Sequence, residues 1–191
     1  IHVIQPITIP DDWQRIGALD IGINAPTAYL AAAYDARNDQ LHVYDGHYDR
    51  NAEPEHHARG IHELHGRHGE GPPPTILGDL QTPDAIAIAV RYADAGIRMS
   101  PADKSFGSGV AAVNDRMAPR QRGRFGFNGP GVVIHDVPGT QPLLNEIPLF
   151  SWKKGHLRML GPTSKATQGA DHACDDLRYL CYHLWLSGRA G

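Results

Sequence analysis

Three apolar runs follow one another near the start of this 191-residue chain, with no helical pattern between them. The first, RIGALDIG, covers residues 15–22, the second, TAYLAAAYD, covers 27–35, and the third, LHVYDGHY, covers 41–48. The turn residues ARND separate the second run from the third, and runs of this length bounded by turn signals are typical of strands. We therefore predict that the fold begins with an antiparallel meander of three strands.

Helical patterns and short apolar strands alternate in the rest of the chain. The helix after the meander ends at GEGPPP, because glycine and proline do not continue a helix. The predicted elements are helices at 52–68, 83–95 and 108–118, strands at 75–80, 96–100 and 131–137, and helical segments at 140–150 and 171–186. A meander followed by such alternation predicts an α/β fold with a mixed sheet and helices on both faces, which is the element order of ribonuclease H-like folds.

Two nucleotide-binding architectures are disfavoured by the same pattern. A doubly wound dinucleotide-binding sheet would alternate strand and helix from the start and would carry a glycine fingerprint after its first strand. Here the first strand leads directly into a second. The phosphate-binding pattern GxxxxGK[ST] does not occur, so we expect no Walker-type ATPase within this chain.

Composition favours an ordinary cytosolic domain. Hydrophobic residues make up 41% of the sequence, and no apolar run approaches the roughly 20 residues that span a bilayer. The N-terminal segment lacks the basic, apolar and small-residue blocks of a signal peptide. Cys174 and Cys181 lie too far apart along a predicted helix to form a disulfide, so we expect both to be reduced core residues.

Charge is unevenly distributed, although the net charge is only −3. Residues 1–97 contain 6 Lys and Arg against 14 Asp and Glu, whereas residues 98–165 contain 10 against 4. A basic middle segment beside acidic flanks is typical of a protein with one surface for a polyanion. Scattered, solvated charge is the alternative interpretation.

Acidic residues stand at three places where a metal-dependent nuclease would need them. Asp20 ends the first strand, Asp79 ends the fourth, and Asp175 belongs to a cluster at the start of the last helix. In the predicted sheet the first and fourth strands are neighbours, and the last helix crosses beside them. Hard divalent cations prefer oxygen ligands, and two of them about 4 Å apart can hold the attacking and leaving oxygens of a phosphodiester. We therefore predict a two-metal site here.

The segment DHACDD leaves open which carboxylate faces the sheet. Asp175 heads a stripe that continues through Tyr179, but a second stripe begins at Cys174, and the helix is apolar on both sides. His172 could orient water, polarise a phosphate or bind metal. Ordinary N-capping by Asp171, with acids favoured by the helix dipole, is the alternative explanation of the cluster.

Three segments resemble the nuclease domain in large terminase subunits of tailed double-stranded DNA bacteriophages. DHACDDLRYL resembles the closing motif of that family, in which His-x-x-Asp precedes a Leu-Arg-Tyr-type helix. RIGALDIG resembles its opening strand, and TILGDLQTPDAIAIAVRYADAGIRMSPADKSFGSG resembles its middle. The resemblance covers most of residues 14–186. It implies a ribonuclease H-like endonuclease that cuts concatemeric phage DNA during packaging, using two Mg²⁺ or Mn²⁺ ions.

The same resemblance implies a set of site residues and partners. The residues that match the family's catalytic positions are Asp20, Asp79, Asp175 and His172, and the additional candidate metal ligands are Asp171 and Asp176. IQPITIPDDW resembles the linker after the family's packaging ATPase domain, so we expect a linker remnant over 1–14 and the nuclease domain over 15–191. The implied partners are double-stranded DNA, that ATPase domain in the full-length chain, the small terminase subunit and the portal protein, in the host cytoplasm and without a membrane.

Basic residues of the middle segment are candidate DNA contacts. The glycine-rich stretch 115–131 interleaves arginines with two phenylalanines and predicts a mobile loop beside the active site, since arginine contacts phosphate and glycine lets a loop adapt to a duplex. The candidate DNA-binding residues are Lys104, Arg116, Arg120, Arg122, Arg124, Lys153 and Lys154. A solvated loop is the alternative.

Histidines in the stretch HHARGIHELHGRH raise the question of a zinc site at His57, His62, His65 and His68. Structural zinc usually takes thiolates or a closed set of four ligands, and the helical spacing here is loose. We prefer a solvated helix face.

Two other functions stay open from the residues alone. Another ribonuclease H-like nuclease, of the junction resolvase or transposase type, would use similar carboxylates, and a resolvase would prefer branched DNA. A catalytically silent DNA-binding or docking domain would use the acids only as helix caps and would bind no metal.

Overall fold

A seven-stranded mixed sheet forms the centre of the fold, with the strand order β1-β9-β4-β3-β2-β5-β6. The computed structural model describes residues 2–22, 25–123, 126–149 and 171–188. The strands of this sheet are β1 (Val3–Ile4), β2 (Gln14–Asp20), β3 (Thr27–Asp35), β4 (Gln40–Asp49), β5 (Ile76–Gly78), β6 (Ser100–Pro101) and β9 (Val132–His135). Two further strands, β7 (Arg120–Arg122) and β8 (Phe127–Gly129), pair only with each other as a hairpin.

Helices connect and cover the strands. They are α1 (Pro54–Arg67), α2 (Pro83–Asp94), α3 (Phe106–Met117), α4 (Gln141–Glu146) and α5 (His172–Ser187). Short 3-10 helices at Pro138–Thr140 and Ile147–Leu149 flank α4. The sheet, its mixed strand directions and the helices on both faces confirm the predicted fold class.

The predicted meander is present, with β2, β3 and β4 paired antiparallel along their lengths. A bulge in β4 interrupts the register next to Ala31 and Ala32, because Tyr44 has no partner on β3. Parallel strands extend the meander on both sides: β5 pairs with β2, and β9 pairs with β4. The strands that end at Asp20 and just before Asp79 are therefore neighbours, as predicted.

Two apolar clusters show which helices cover which face. Alternate residues of β2, such as Ile16 and Ala18, share a cluster with α3, α4 and most of α5. Leu19, the residue after Ala18, belongs to the other cluster, which includes Ile61 of α1 and Tyr92 of α2. The sheet therefore separates an α5 face from an α1 face. Among the described helices, none is long and apolar enough to cross a membrane.

The structure corrects the predicted strand at 96–100. Of residues 96–101, only Ser100 and Pro101 pair with β5. Gly96 and Ile97 instead belong to the end of α2. Gly96 has φ +87, and the Ile97 N–H donates to the carbonyl of Tyr92 at 2.8 Å. This arrangement is a glycine-based helix C-cap in which the apolar residue after the glycine is buried.

The N-terminal segment, predicted as a linker remnant, contributes to the sheet edge. Val3–Ile4 pair in parallel with Ile134 and His135 of β9. The Arg15 guanidinium donates to the carbonyls of Pro10 and Trp13 at 2.8 Å each and also binds Glu70, so it fixes the chain just before β2.

Histidines collect on the α1 face, and two in the helix predicted to be solvated, His57 and His65, are buried. His65 is fully buried, bonded to the Tyr29 hydroxyl at 2.7 Å and to Glu70 at 3.2 Å. His42 bonds His135 at 3.1 Å. Burial lowers the pKa of His65 and lowers that of His42 to about 4, so these imidazoles are neutral.

The four imidazoles considered for zinc have different hydrogen-bond partners, and those of His65 are Tyr29 and Glu70. His57 bonds His47, and His62 bonds the carbonyl of Ala95. His68 bonds Asp45 on a neighbouring strand. Cys174 and Cys181 form no disulfide and are buried in the core, as predicted.

Candidate active site

Asp20 and Asp79 lie at the ends of adjacent parallel strands. The register pairs Leu19 of β2 with Gly78 of β5, and each aspartate is the next residue along the chain. Ala18 and Leu77, two residues earlier on each strand, both belong to the core cluster of the α5 face. Because side chains alternate along a strand, both carboxylates are expected on the α5 face.

The first turn of α5 reaches Asp20 through a histidine. The His172 Nδ1 lies 2.5 Å from the Asp20 Oδ2, and both side chains are mostly buried. This hydrogen bond raises the pKa of His172, so a protonated imidazole is favoured beside the carboxylate. His172 and Asp20 thus form an ion pair between the helix and the first strand.

Asp175 is held by an arginine of the same helix. The Arg178 Nε and Nη2 donate to the Asp175 Oδ1 at 3.2 and 3.0 Å. Arg178 is itself buried, with its guanidinium over the rings of Phe106 and Tyr179. Gly109 of α3 makes room for it, since a Cβ there would lie 2.7 Å from the Arg178 Cγ. Burial raises the pKa of Asp175, and the arginine opposes that shift.

Asp176 is a buried carboxylate without a counter-ion in the described structure. The residue has 0% exposure, and neither oxygen makes a hydrogen bond of good geometry within the described residues. Burial raises the pKa of Asp176 well above its usual value, and the negative charges of Asp20 and Asp175 add to the shift. An orphaned buried carboxylate next to two others is the pattern that a bound cation would stabilise.

The N-terminus of α5 is capped by a residue that the sequence analysis missed. Asp171 occupies the N-cap position but makes no side-chain capping bond. Instead, the Glu146 Oε2 accepts from the Cys174 N–H at 3.0 Å, and the Tyr48 hydroxyl donates to the Glu146 Oε1 at 2.9 Å. Ordinary capping by Asp171 therefore does not explain the acidic cluster.

Lys104 neutralises the remaining carboxylate of the site. Its ammonium donates to the Asp79 Oδ2, while the Asp79 Oδ1 accepts from the Gln81 N–H at 3.2 Å. Within the described ranges, no three Asp, Glu, His or Cys side chains already converge as a metal cage. Among the described residues, Lys104, Arg178 and His172 each pair with one aspartate, and Asp176 has no such partner. Carboxylate oxygens are ligands that suit hard divalent ions. In this structure, however, Asp20, Asp79 and Asp175 are already paired with side chains of the chain itself.

The predicted DNA contacts lie in different parts of the molecule. Arg116 is buried and pairs with Asp39 at 3.0 Å, which argues against its predicted role as a DNA contact. Its charge is committed to the turn between β3 and β4, and its planar group also lies over the ring of Tyr34. Lys104 stands at the site itself.

The arginine-rich stretch also differs from the predicted loop beside the active site. Arg120 and Arg122 lie on the β7 strand, whose turn residue Gly123 has φ +68 and packs against the backbone of Arg37 and Asn38. That turn is at the opposite end of β3 from Asp20. The nine residues of β3 correspond to about 26 Å of extended strand. Arg124, Lys153 and Lys154 fall outside the described residues.

Comparison with known proteins finds likeness in structure only. No protein-family model matches the chain, and no curated protein matches it by sequence. The nuclease domain of the P22 large terminase superposes with a TM-score of 0.69 at 18% identity, covering 93% of this chain and 84% of that one. The g2p nuclease domain of bacteriophage SPP1, solved with bound Mn, gives a TM-score of 0.58 at 15% identity, covering 93% and 92%.

A longer protein shares the same fold over part of its length. A large terminase from a thermophilic bacteriophage gives a TM-score of 0.69 at 14% identity, with 96% of this chain but only 42% of that chain covered. The present chain therefore spans about two fifths of that terminase. The resemblance stated from the sequence is confirmed at the level of structure: this chain has the ribonuclease H-like fold of the nuclease domains of phage large terminases.

Proposed function

We propose that this chain is a divalent-metal-dependent endonuclease that cleaves concatemeric double-stranded phage DNA during genome packaging. The observation that carries the proposal is the acidic junction beneath the first turn of α5. There, Asp20 ends β2, Asp79 follows the neighbouring β5, and Asp176 is buried without a counter-ion in the part of the chain that the structure describes. The fold shared with terminase nuclease domains, one of them solved with bound Mn, supports the same assignment.

The proposed ligands are the candidate carboxylates named from the sequence. Asp20, Asp79 and Asp175 would hold two Mg²⁺ or Mn²⁺ ions, with Asp176 and Asp171 as additional ligands. Bound divalent ions supply an activated water and stabilise the leaving 3′-oxyanion. His172, paired with Asp20, would carry a proton near the reacting phosphate. We expect 5′-phosphate and 3′-hydroxyl ends and little sequence preference, because phosphate contacts dominate.

Further parts of the proposal concern organisation and partners. We propose residues 1–14 as an interdomain linker remnant and 15–191 as the nuclease domain of a longer chain whose packaging ATPase lies elsewhere. Double-stranded DNA, the small terminase subunit and the portal protein are the proposed partners, in the host cytoplasm. Arg120 and Arg122, on the β7 strand, are kept as candidate DNA contacts. Arg124, Lys153 and Lys154 are kept as candidate DNA contacts.

Conversion of supercoiled plasmid by the purified chain tests this function. The reaction is run with Mg²⁺, Mn²⁺, Ca²⁺ or EDTA, with Asp79→Asn and with Asp84→Asn, a control that removes an exposed carboxylate of α2. We expect cutting with Mg²⁺ or Mn²⁺ that EDTA and Asp79→Asn abolish and Asp84→Asn retains. Equal behaviour of all variants without any metal effect would favour a silent docking domain. Strong preference for a four-way junction over plain duplex would favour a resolvase.

A further inference from the structure

Lys104 occupies the position of a cation at the acidic junction. It lies in the loop between β6 and α3, and its ammonium donates to the Asp79 Oδ2. The other Asp79 oxygen is engaged by the Gln81 N–H at 3.2 Å. Both oxygens of this carboxylate therefore have partners, and any metal ion that takes Asp79 as a ligand must share or displace the lysine.

Among the partners of the aspartates, Arg178 and Lys104 differ in their freedom to leave. Arg178 is 5% exposed, lies between Phe106 and Tyr179, and fits over Gly109, so its position is fixed by packing. Lys104 is 34% exposed and has a flexible four-carbon stem that no aromatic contact or close-packed glycine holds within the described structure. Lys104 can therefore move without disturbing the core.

We propose that Lys104 is an exchangeable counter-ion of the metal site. Without metal its ammonium pairs with Asp79. When a divalent ion takes Asp79, the ammonium is displaced and binds a phosphate of the DNA backbone instead. This inference rests on the proposed metal-dependent nuclease, and it assigns Lys104 a role in substrate contact that appears only after metal binds.

Two opposite consequences of removing Lys104 distinguish this exchange from a simple surface charge. Metal ions no longer compete with an ammonium for Asp79, so they bind more tightly. DNA, in contrast, loses one phosphate contact, but only in the metal-bound protein. A lysine that served DNA alone would affect DNA binding in both states and would leave the metal affinity almost unchanged.

The first measurement is Mn²⁺ binding followed by electron paramagnetic resonance, which needs no turnover. It compares the wild type, Lys104→Met and Arg59→Met, the last removing an exposed charge of α1 on the opposite face of the sheet. We expect Lys104→Met to bind Mn²⁺ about threefold more tightly, since partly exposed ion pairs have modest energies. Arg59→Met should match the wild type. Unchanged or weaker binding in Lys104→Met overturns the inference.

The second measurement is the salt dependence of binding to a duplex, in Ca²⁺ and in EDTA. We expect the slope of log K against log salt to fall by about 1 for Lys104→Met in Ca²⁺ and to stay at the wild-type value in EDTA. An equal change in both conditions, or none in Ca²⁺, overturns the exchange. If the wild type itself binds no Mn²⁺, the proposed function fails and this inference fails with it. If the wild type binds Mn²⁺ and Lys104→Met binds it equally well, only the exchange is contradicted.

Discussion

Replacement of Asp176 by asparagine should stabilise the metal-free protein. The Asp176 carboxylate is fully buried and has no cationic partner within the described residues, only a poorly aligned backbone contact at Asp20, and the negative charges of Asp20 and Asp175 add to the rise in its pKa. Asparagine keeps the shape of the side chain and removes the charge. Its amide group can also donate to the neighbouring carboxylates, which are acceptors.

The expected magnitude follows from the state of this one group. An unsatisfied buried polar group costs about 1–3 kcal/mol, and more when it is charged. We therefore expect Asp176→Asn to raise the free energy of unfolding in EDTA at pH 8 by about 2 kcal/mol, or about 4–8 °C in Tm for a domain of this size. Saturating Mn²⁺ should stabilise the wild type more than the variant, because the variant has lost a candidate ligand, and the gap should close.

The neighbouring Asp175 provides a matched control with the opposite sign. Asp175→Asn makes the same chemical change one residue earlier, but it leaves the buried Arg178 without its carboxylate partner. Breaking a buried ion pair in this way should lower the free energy of unfolding by about 3 kcal/mol. Urea unfolding in EDTA and in Mn²⁺ measures all three proteins.

A lower stability of Asp176→Asn than of the wild type in EDTA would refute the reasoning. It would mean that the carboxylate already has a compensating partner, and that the acidic junction needs no cation. An equal loss in both variants would lead to the same conclusion, because the two aspartates would then differ only in position.

Two further predictions concern stability and DNA binding. His42 has its folded-state pKa lowered to about 4, below the unfolded value of about 6.5. Below the unfolded pKa, the unfolded chain therefore binds more protons than the folded chain. The stability that is present above the unfolded pKa is lost as the pH falls, by about 2 kcal/mol at pH 5 from His42 alone. His47 acts in the same direction. Urea unfolding between pH 7.5 and 5 in the Asp176→Asn background, where protonation of that carboxyl does not oppose the effect, should show this decline, and a flat profile would contradict it. Arg116→Met should lower the free energy of unfolding by about 2 kcal/mol through loss of its charged hydrogen bond to the partly exposed Asp39, yet leave the salt slope of DNA binding unchanged; a shallower slope would support Arg116 as a DNA contact.

The sheet was predictable from the sequence because strand alternation and turn residues are local signals. The predicted strand at 27–35 has the observed bounds, Thr27–Asp35. The error at 96–100 has a local cause as well, since the glycine at its first position ends α2 instead of opening a strand. Gly96 followed by Ile97 is the signature of a helix C-cap with a buried apolar residue.

The acidic junction was predicted in outline, but its charge partners were not. Strand ends and a helix start can be placed from element order, whereas the Lys104–Asp79 pair depends on how one loop crosses the sheet edge. Arg178 could have been found, because it follows Asp175 at the i,i+3 spacing of a helical ion pair. Glu146 gave no such signal, since it caps α5 from a different helix. The burial of Arg116 could not be predicted, because counting arginines along a segment does not show which of them turn inward.

The segregation of buried imidazoles on the α1 face has a consequence for enzyme kinetics. The acidic junction lies on the other face of the sheet, so the groups that make the fold acid-sensitive are not those expected to touch DNA. As acid charges the imidazoles, the folded fraction falls and cleavage falls with it. The acid limb of a pH–rate profile for this protein will therefore include loss of active molecules. An apparent kinetic pKa taken from that limb describes the chemistry only after division by the folded fraction measured under the same conditions.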